Sequence, residues 1–313
     1  MSRAFVFPGQ GSQAVGMGHS LAEAFPAARE VFEEVDDALS QNLFRLMVEG
    51  PEDELMLTEN AQPALMAVSM AVVRVLQSEG NLDIADAASC VAGHSLGEYS
   101  ALAAARSLTV PDVARLLKTR GQAMQQAVPL GEGGMAALLG VGLEKATEIA
   151  DAASEGDVCS PANDNGPDQV VLSGTAAAIA RAVEIAPDHG ARRAVPLQVS
   201  APFHCALMAP AADVMEKALG KVDVAPPAVP LVANVTAAMT EEPGAIVRQL
   251  VEQVTGLVRW RECVLAMRDT GVDTLVEIGS GKVLAGLTRR IDRDLSAVSV
   301  SDAESVEAFL NSI

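Results

Sequence analysis

Residues 91–97 read Val-Ala-Gly-His-Ser-Leu-Gly, and no other stretch restricts the fold of this chain so strongly. Small and apolar residues (Ala88, Cys90, Val91, Ala92) lead into it, and residues 98–105 have helical character. A strand that enters a helix through a sharp turn with a central Ser is the pattern of a nucleophile elbow. The glycines have a mechanical purpose, because a Cβ at Gly93 or Gly97 would collide with the neighbouring strand or helix. Such a turn holds the Ser95 hydroxyl beside the first free N–H groups of the helix, where an oxyanion can be stabilised. The bare five-residue motif also suits a glycine-rich turn with a helix-capping Ser. Its strand–turn–helix setting is what makes Ser95 a candidate nucleophile.

The chain has 313 residues, 50% of them apolar, enough to bury a full core. A net charge of −19 disfavours nucleic acid and anionic membranes as partners. Acidic clusters such as Glu33, Glu34, Asp36 and Asp37 have the spacing of solvated helix faces, and no metal site is expected from them. Cys90, Cys159, Cys205 and Cys263 are far apart with no C-x-x-C spacing, which suits reduced, buried thiols in a cytoplasmic protein. The start of the chain is too short in apolar residues for a signal peptide, and no window approaches a membrane span.

The pattern along the chain predicts strands at residues 4–7, 231–234 and 274–278, joining the elbow strand in a mainly parallel sheet. Helices are expected over much of 21–46, at 63–77 with Pro63 at the start, and at 111–127. A glycine-rich break at 131–134 marks a boundary. Beyond it, strands at 135–141, 169–173 and 193–199 alternate with helices at 143–153 and 176–189. The expected fold is therefore α/β: a large α/β-hydrolase-like domain (residues 1–129 and 198–313) with a small ferredoxin-like α+β insert (residues 130–197). The cleft should lie where the two meet.

A nucleophilic Ser needs a base, and the chain has four histidines. His94 adjoins Ser95, so its ring should point away and form a pocket wall. His19 and His189 fall in surface segments. His204 follows the last strand of the insert, where the chain returns to the cleft, which makes it the candidate general base. Val113, Leu116, Leu117, Arg120 and Met124 share one helical face. Arg120 thus sits in an apolar stripe. It either snorkels or pairs internally, or it reaches into the cleft to grip a carboxylate.

Several segments then carry a resemblance when taken together in order and spacing. They are Phe5-Val6-Phe7-Pro8-Gly9-Gln10-Gly11-Ser12-Gln13, the Gly93-to-Tyr99 turn, Thr119-Arg120-Gly121, and Phe203-His204-Cys205-Ala206-Leu207-Met208. Residues 163–171 and 279–284 agree. Over essentially its whole length the chain resembles the malonyl-CoA:acyl-carrier-protein transacylases of bacterial type II fatty-acid synthesis. The resemblance implies malonyl transfer from malonyl-CoA to the phosphopantetheine thiol of an acyl carrier protein, by a ping-pong route through a malonyl-serine. Ser95 would be the nucleophile and His204 its base. The main-chain carbonyl of Gln253 would orient the ring in place of a carboxylate, and the amides of Gln10 and Leu96 would form the oxyanion hole. Arg120 would hold the malonyl carboxylate, with Met124, Phe203 and His94 lining the pocket. No resident cofactor is implied, and a monomer is expected. Docking of an acidic carrier protein by this acidic chain needs a local basic patch, for which Arg192, Arg193 and Lys282 are candidates.

Members of the family commonly have Pro where Gly256-Leu257 stands and a basic residue where Glu252 stands, which leaves the loop behind His204 open. Two other functions use the same elements: a discrete malonyl acyltransferase serving a polyketide synthase, and a serine hydrolase.

Overall fold

A computed structural model describes residues 2–313 and has two sheets. The first contains β1 (Arg3–Phe7), β2 (Cys90–Gly93), β7 (Leu231–Ala233), β8 (Ala238–Thr240), β9 (Thr274–Ile278) and β10 (Ser296–Val300). Their order is β10-β9-β1-β2-β7-β8, and every pairing is parallel except that of the edge strand β8. Helices cover both faces, which explains why β1 reads as an unbroken apolar run. Phe5 and Phe7 pack into one core, Ala4 and Val6 into the other. This is a mixed α/β protein built on a parallel-containing sheet.

The second sheet contains β3 (Gly133–Leu139), β4 (Cys159–Gly166), β5 (Gln169–Thr175) and β6 (Arg193–Pro196), in the order β4-β5-β3-β6, with every pairing antiparallel. The helices Leu143–Ser154 and Ala176–Ile185 pack on it and close a separate core around Leu138, Ile149 and Leu172.

Several boundaries differ from the sequence reading. The long helix runs Thr58–Gly80, so Pro63 lies inside it instead of starting it. A Pro that early forfeits one intrahelical bond, and almost every neighbouring residue is buried, so packing overrides propensity. The helical stretch read over 21–46 is three helices, His19–Ala24, Pro26–Leu39 and Leu43–Glu49, with breaks at the extended Phe25 before Pro26 and at Ser40, φ 49°. Strand β4 was not expected, because Pro161, Asn163, Asp164 and Asn165 have low strand propensity. Its buried polar residues find specific partners instead: Asp164 accepts from Arg261 Nε at 2.9 Å, and Asn165 meets His94.

Candidate active site

Ser95 sits between β2 and the helix Gly97–Ala104 with φ 54°, a left-handed conformation that few non-glycine residues hold without support. The support is steric and polar. A Cβ at Gly93 would lie 1.9 Å from the Gly97 carbonyl carbon, and one at Gly97 would lie 2.2 Å from the Phe7 oxygen. Asn234, just past β7, staples the turn: Ser95 N donates to its Oδ1 at 2.8 Å, and its Nδ2 donates to the Gly93 carbonyl at 2.7 Å. The hydroxyl is thereby fixed at the C-terminal edge of the parallel sheet.

His204 is also left-handed, with φ 59°, and its Nε2 lies 2.8 Å from Ser95 Oγ. Its Nδ1 lies 2.8 Å from the main-chain oxygen of Gln253, the last residue of the helix Pro243–Gln253. Carbonyls in a final helical turn lack intrahelical donors, so this one is available. With Nδ1–H donating there, Nε2 is bare and faces the Ser95 hydroxyl as a hydrogen-bond acceptor. The loop left open by Glu252 and Gly256 is tight: Gly256 N donates to the Glu252 carbonyl at 2.9 Å, and Val258 N to the Ala162 carbonyl at 2.9 Å. Burial and the nearby Arg120 charge push His204 down to about 3, so the ring is a neutral acceptor.

Arg120 is 1% exposed on the helix Val110–Ala127. The following Gly121 lets two helices meet closely, since a Cβ there would lie 2.5 Å from the Glu59 Cα. That approach brings Gln62 within reach. Arg120 Nη1 donates to Gln62 Oε1 at 2.9 Å, and Nη2 donates to Gln253 Oε1 at 3.0 Å and to Ser95 Oγ at 3.2 Å. Its Nε–H has no acceptor among the described residues. A guanidinium has five N–H donors, so a buried cation here keeps unused donors beside Ser95.

These residues open into a cleft of about 580 Å³, lined by Gln10, His94, Ser95, Leu96, Arg120, Phe203 and His204. Among the described residues neither the Gln10 nor the Leu96 amide donates to a protein acceptor. The Pro8–Gln10 backbone lies close to the Ser95 turn, because a Cβ on Gly9 would be 2.8 Å from the His94 oxygen. The His94 ring turns to Asn165, with Nε2 2.8 Å from Oδ1, and sits beside Trp260. Met124 corrects the sequence reading: it does not line the cleft. It follows Arg120 by one helical turn, where its sulfur lies 3.8 Å from Gln62 Nε2, so it backs Gln62. Arg192, Arg193 and Lys282 are exposed, outside this cleft and without ion pairs among the described residues.

Sequence reasoning missed Gln62, Asn234, Glu98 and the side chain of Gln253. Buried amides leave no periodic trace in the sequence. Among the described residues no cluster of three His, Cys, Asp or Glu side chains suits a metal ion, and no helix is long and apolar enough to cross a membrane.

Comparison with known proteins agrees over nearly the whole length. The model of the acyl transferase domain matches residues 4–307. The malonyl CoA-acyl carrier protein transacylase of Bacillus subtilis is 43% identical, over 99% of this chain and 96% of that protein. The chain belongs to the malonyl-CoA:acyl-carrier-protein transacylase family. Among solved structures of the family, the acyl-carrier-protein-S-malonyltransferase of Bartonella henselae superposes with a TM-score of 0.97 at 56% identity, covering 100% of this chain and 99% of that one. A malonyl-transacylase in complex with its type II PKS acyl-carrier protein gives 0.96 at 43% identity, with 100% of each chain covered.

Proposed function

We propose that this acyltransferase moves malonyl from malonyl-CoA to the phosphopantetheine thiol of an acyl carrier protein, through an ester on Ser95. The observation that carries the substrate choice is a fully buried guanidinium with unused donors, 3.2 Å from the nucleophile. Ser95 Oγ attacks the thioester carbonyl while its proton passes to His204 Nε2. The Gln10 and Leu96 amides receive the oxyanion. Collapse expels the CoA thiolate, which takes the proton from His204, and the carrier thiol then attacks the ester by the reverse path. No step requires a resident cofactor.

Arg120 binds the malonyl carboxylate directly; an acetyl group offers no anion to its unused donors and forgoes that contact, worth about 3–5 kcal/mol when a buried pair is broken. Phe203 crowds a branch at the malonyl carbon. In this reading residues 1–129 and 198–313 form a hydrolase-like unit with Ser95 on its elbow. Residues 130–197 form a ferredoxin-like insert, supported by two helices and the antiparallel β4-β5-β3-β6 order. The exposed Arg192, Arg193 and Lys282 receive the acidic carrier. The relative crystallised with a type II PKS carrier protein favours a second reading, in which the carrier belongs to a polyketide synthase.

The experiment is intact-protein mass spectrometry after mixing with malonyl-CoA, followed by candidate holo carrier proteins. A malonyl ester on Ser95 that persists in water and moves to a carrier supports the proposal. An ester that only hydrolyses points to a serine hydrolase, and no ester on Ser95 refutes the mechanism.

A further inference from the structure

Glu98 follows the nucleophile by three residues and is 1% exposed, yet it makes no ion pair among the described residues. Its Oε1 accepts the Asn234 main-chain N–H and its Oε2 accepts Gln253 Nε2. The opposite end of the same Gln253 amide accepts Arg120 Nη2 at 3.0 Å. One primary amide therefore spans the two charges with its NH₂ toward the carboxylate and its C=O toward the guanidinium. The reverse orientation would set two donors against each other, so the neighbours fix it. Glu98 also lies in the first turn of the helix Gly97–Ala104, where a negative charge is favoured. Nothing in the acyl-transfer steps uses it.

We propose that ionised Glu98 is the counter-charge of Arg120, relayed through the Gln253 amide, and that an arriving substrate carboxylate displaces that charge by driving a proton from solvent onto Glu98. This rests on the malonyl-CoA reading of the cleft. The physical reason is charge balance. One buried cation can offset one buried anion, and a second carboxylate in the same dry network raises the cost of keeping both ionised. The malonyl carboxylate touches Arg120 directly, whereas Glu98 reaches it only through an amide, so Glu98 is the one to be neutralised. Protonation forms one O–H bond on Glu98 and removes one proton from water or buffer. Glu98 is a positioning residue here, acting on the substrate through Gln253 and Arg120.

The titration is placed to be visible. Burial pushes the Glu98 carboxyl up to about 8, so its negative charge develops as pH rises through that value. The groups facing the network are Tyr99 on its own helix, pushed up to about 12, and Arg120 opposite, lowered by burial but still a cation. Beyond them lie His204, held down at about 3, His94, lowered by burial, and Cys263 on the helix Trp260–Asp269, raised well above its usual value. Asn234 and Gln253 do not titrate. Between about pH 7 and pH 9, Glu98 is thus the group in this network whose charge changes. A ligand that raises its pKa binds with proton uptake and loses affinity as pH climbs past 8, by up to about ten-fold per unit.

The test uses the full chain with Ser95→Ala, which binds malonyl-CoA without acylation. Calorimetric titration at about pH 8.5 in two buffers of different ionisation enthalpy should show uptake of about half a proton or more per site, and Kd should weaken several-fold from about pH 8 to 9. Adding Glu98→Gln should abolish the uptake and flatten the pH dependence. Binding by the Ser95→Ala protein without proton uptake overturns the proposal whether or not the double variant folds. Uptake that survives Glu98→Gln overturns it as well. Absence of any malonyl-CoA binding would instead refute the malonyl reading of the cleft.

Discussion

The Ser95 turn and the Arg120 pocket share one cleft, but different forces hold them. The turn is set by sterics. Two glycines whose Cβ positions are occupied by backbone, at 1.9 and 2.2 Å, leave the chain one path, and Asn234 staples it. The pocket is set by polar partners: Gln62, Gln253 and, through the latter, Glu98 hold a cation that packing alone would not tolerate. The first kind of region cannot yield without unfolding. The second can exchange a partner, which a site that must accept and release a charged acyl group needs.

The comparison is broken most severely at the turn. Gly93→Ala should destabilise the fold by about 3 kcal/mol or more, read as a lower denaturant midpoint, because backbone on both sides must move. Removing the His204 imidazole should cost at least as much, in rate instead of stability. His204→Ala should keep the fold and lower the rate of Ser95 acylation by on the order of 10⁴-fold, measured in single-turnover experiments. In the pocket, Gln62→Leu should cost less stability than Gly93→Ala, about 1–2 kcal/mol for the charge-assisted bond that Arg120 loses, while raising KM for malonyl-CoA about ten-fold. A large loss of stability in that variant, or none in Gly93→Ala, would erase the distinction between the two regions.

The smallest effect is in pH. His204 is depressed from its ordinary value to about 3, so the folded protein binds a proton there less readily than the unfolded chain. Its contribution to stability is present above the unfolded pKa of about 6.5 and is lost as pH falls from there toward 3. The acid limb of kcat/KM should accordingly lie well below pH 6. A limb centred near the ordinary histidine value would show that Arg120 and burial do not act on the ring as described.

The same contrast separates what the sequence made legible from what it did not. The turn was readable because glycine at fixed offsets is a direct trace of steric exclusion. Strand β1 was readable because consecutive apolar residues, Ala4 to Phe7, suit a short strand covered on both faces. His204 was reached by elimination among four histidines and by chain topology, and it lies 2.8 Å from Ser95 Oγ. Arg120 stood out as a cation in an apolar stripe; Met124 shares that stripe, and helical spacing cannot tell a cleft wall from the layer behind it. Strand β4 was missed because the residues that fit it to the cleft, Asn163, Asp164 and Asn165, are chosen for their partners and not for strand propensity. Gln62, Asn234 and Glu98 were missed for a similar reason, since an amide or acid held mainly by partners distant in sequence leaves no local pattern.

The central claim is that Arg120 selects the acyl group delivered to Ser95. Its most direct test is a competition: wild-type protein and Arg120→Ala are each mixed briefly with equal malonyl-CoA and acetyl-CoA, and the acyl groups on Ser95 are quantified by mass spectrometry. The wild type should carry malonyl almost alone. The variant should lose malonyl acylation by on the order of 10³-fold, as expected for a carboxylate deprived of its buried cation, and should gain acetyl. An unchanged malonyl-to-acetyl ratio in the variant would contradict the account.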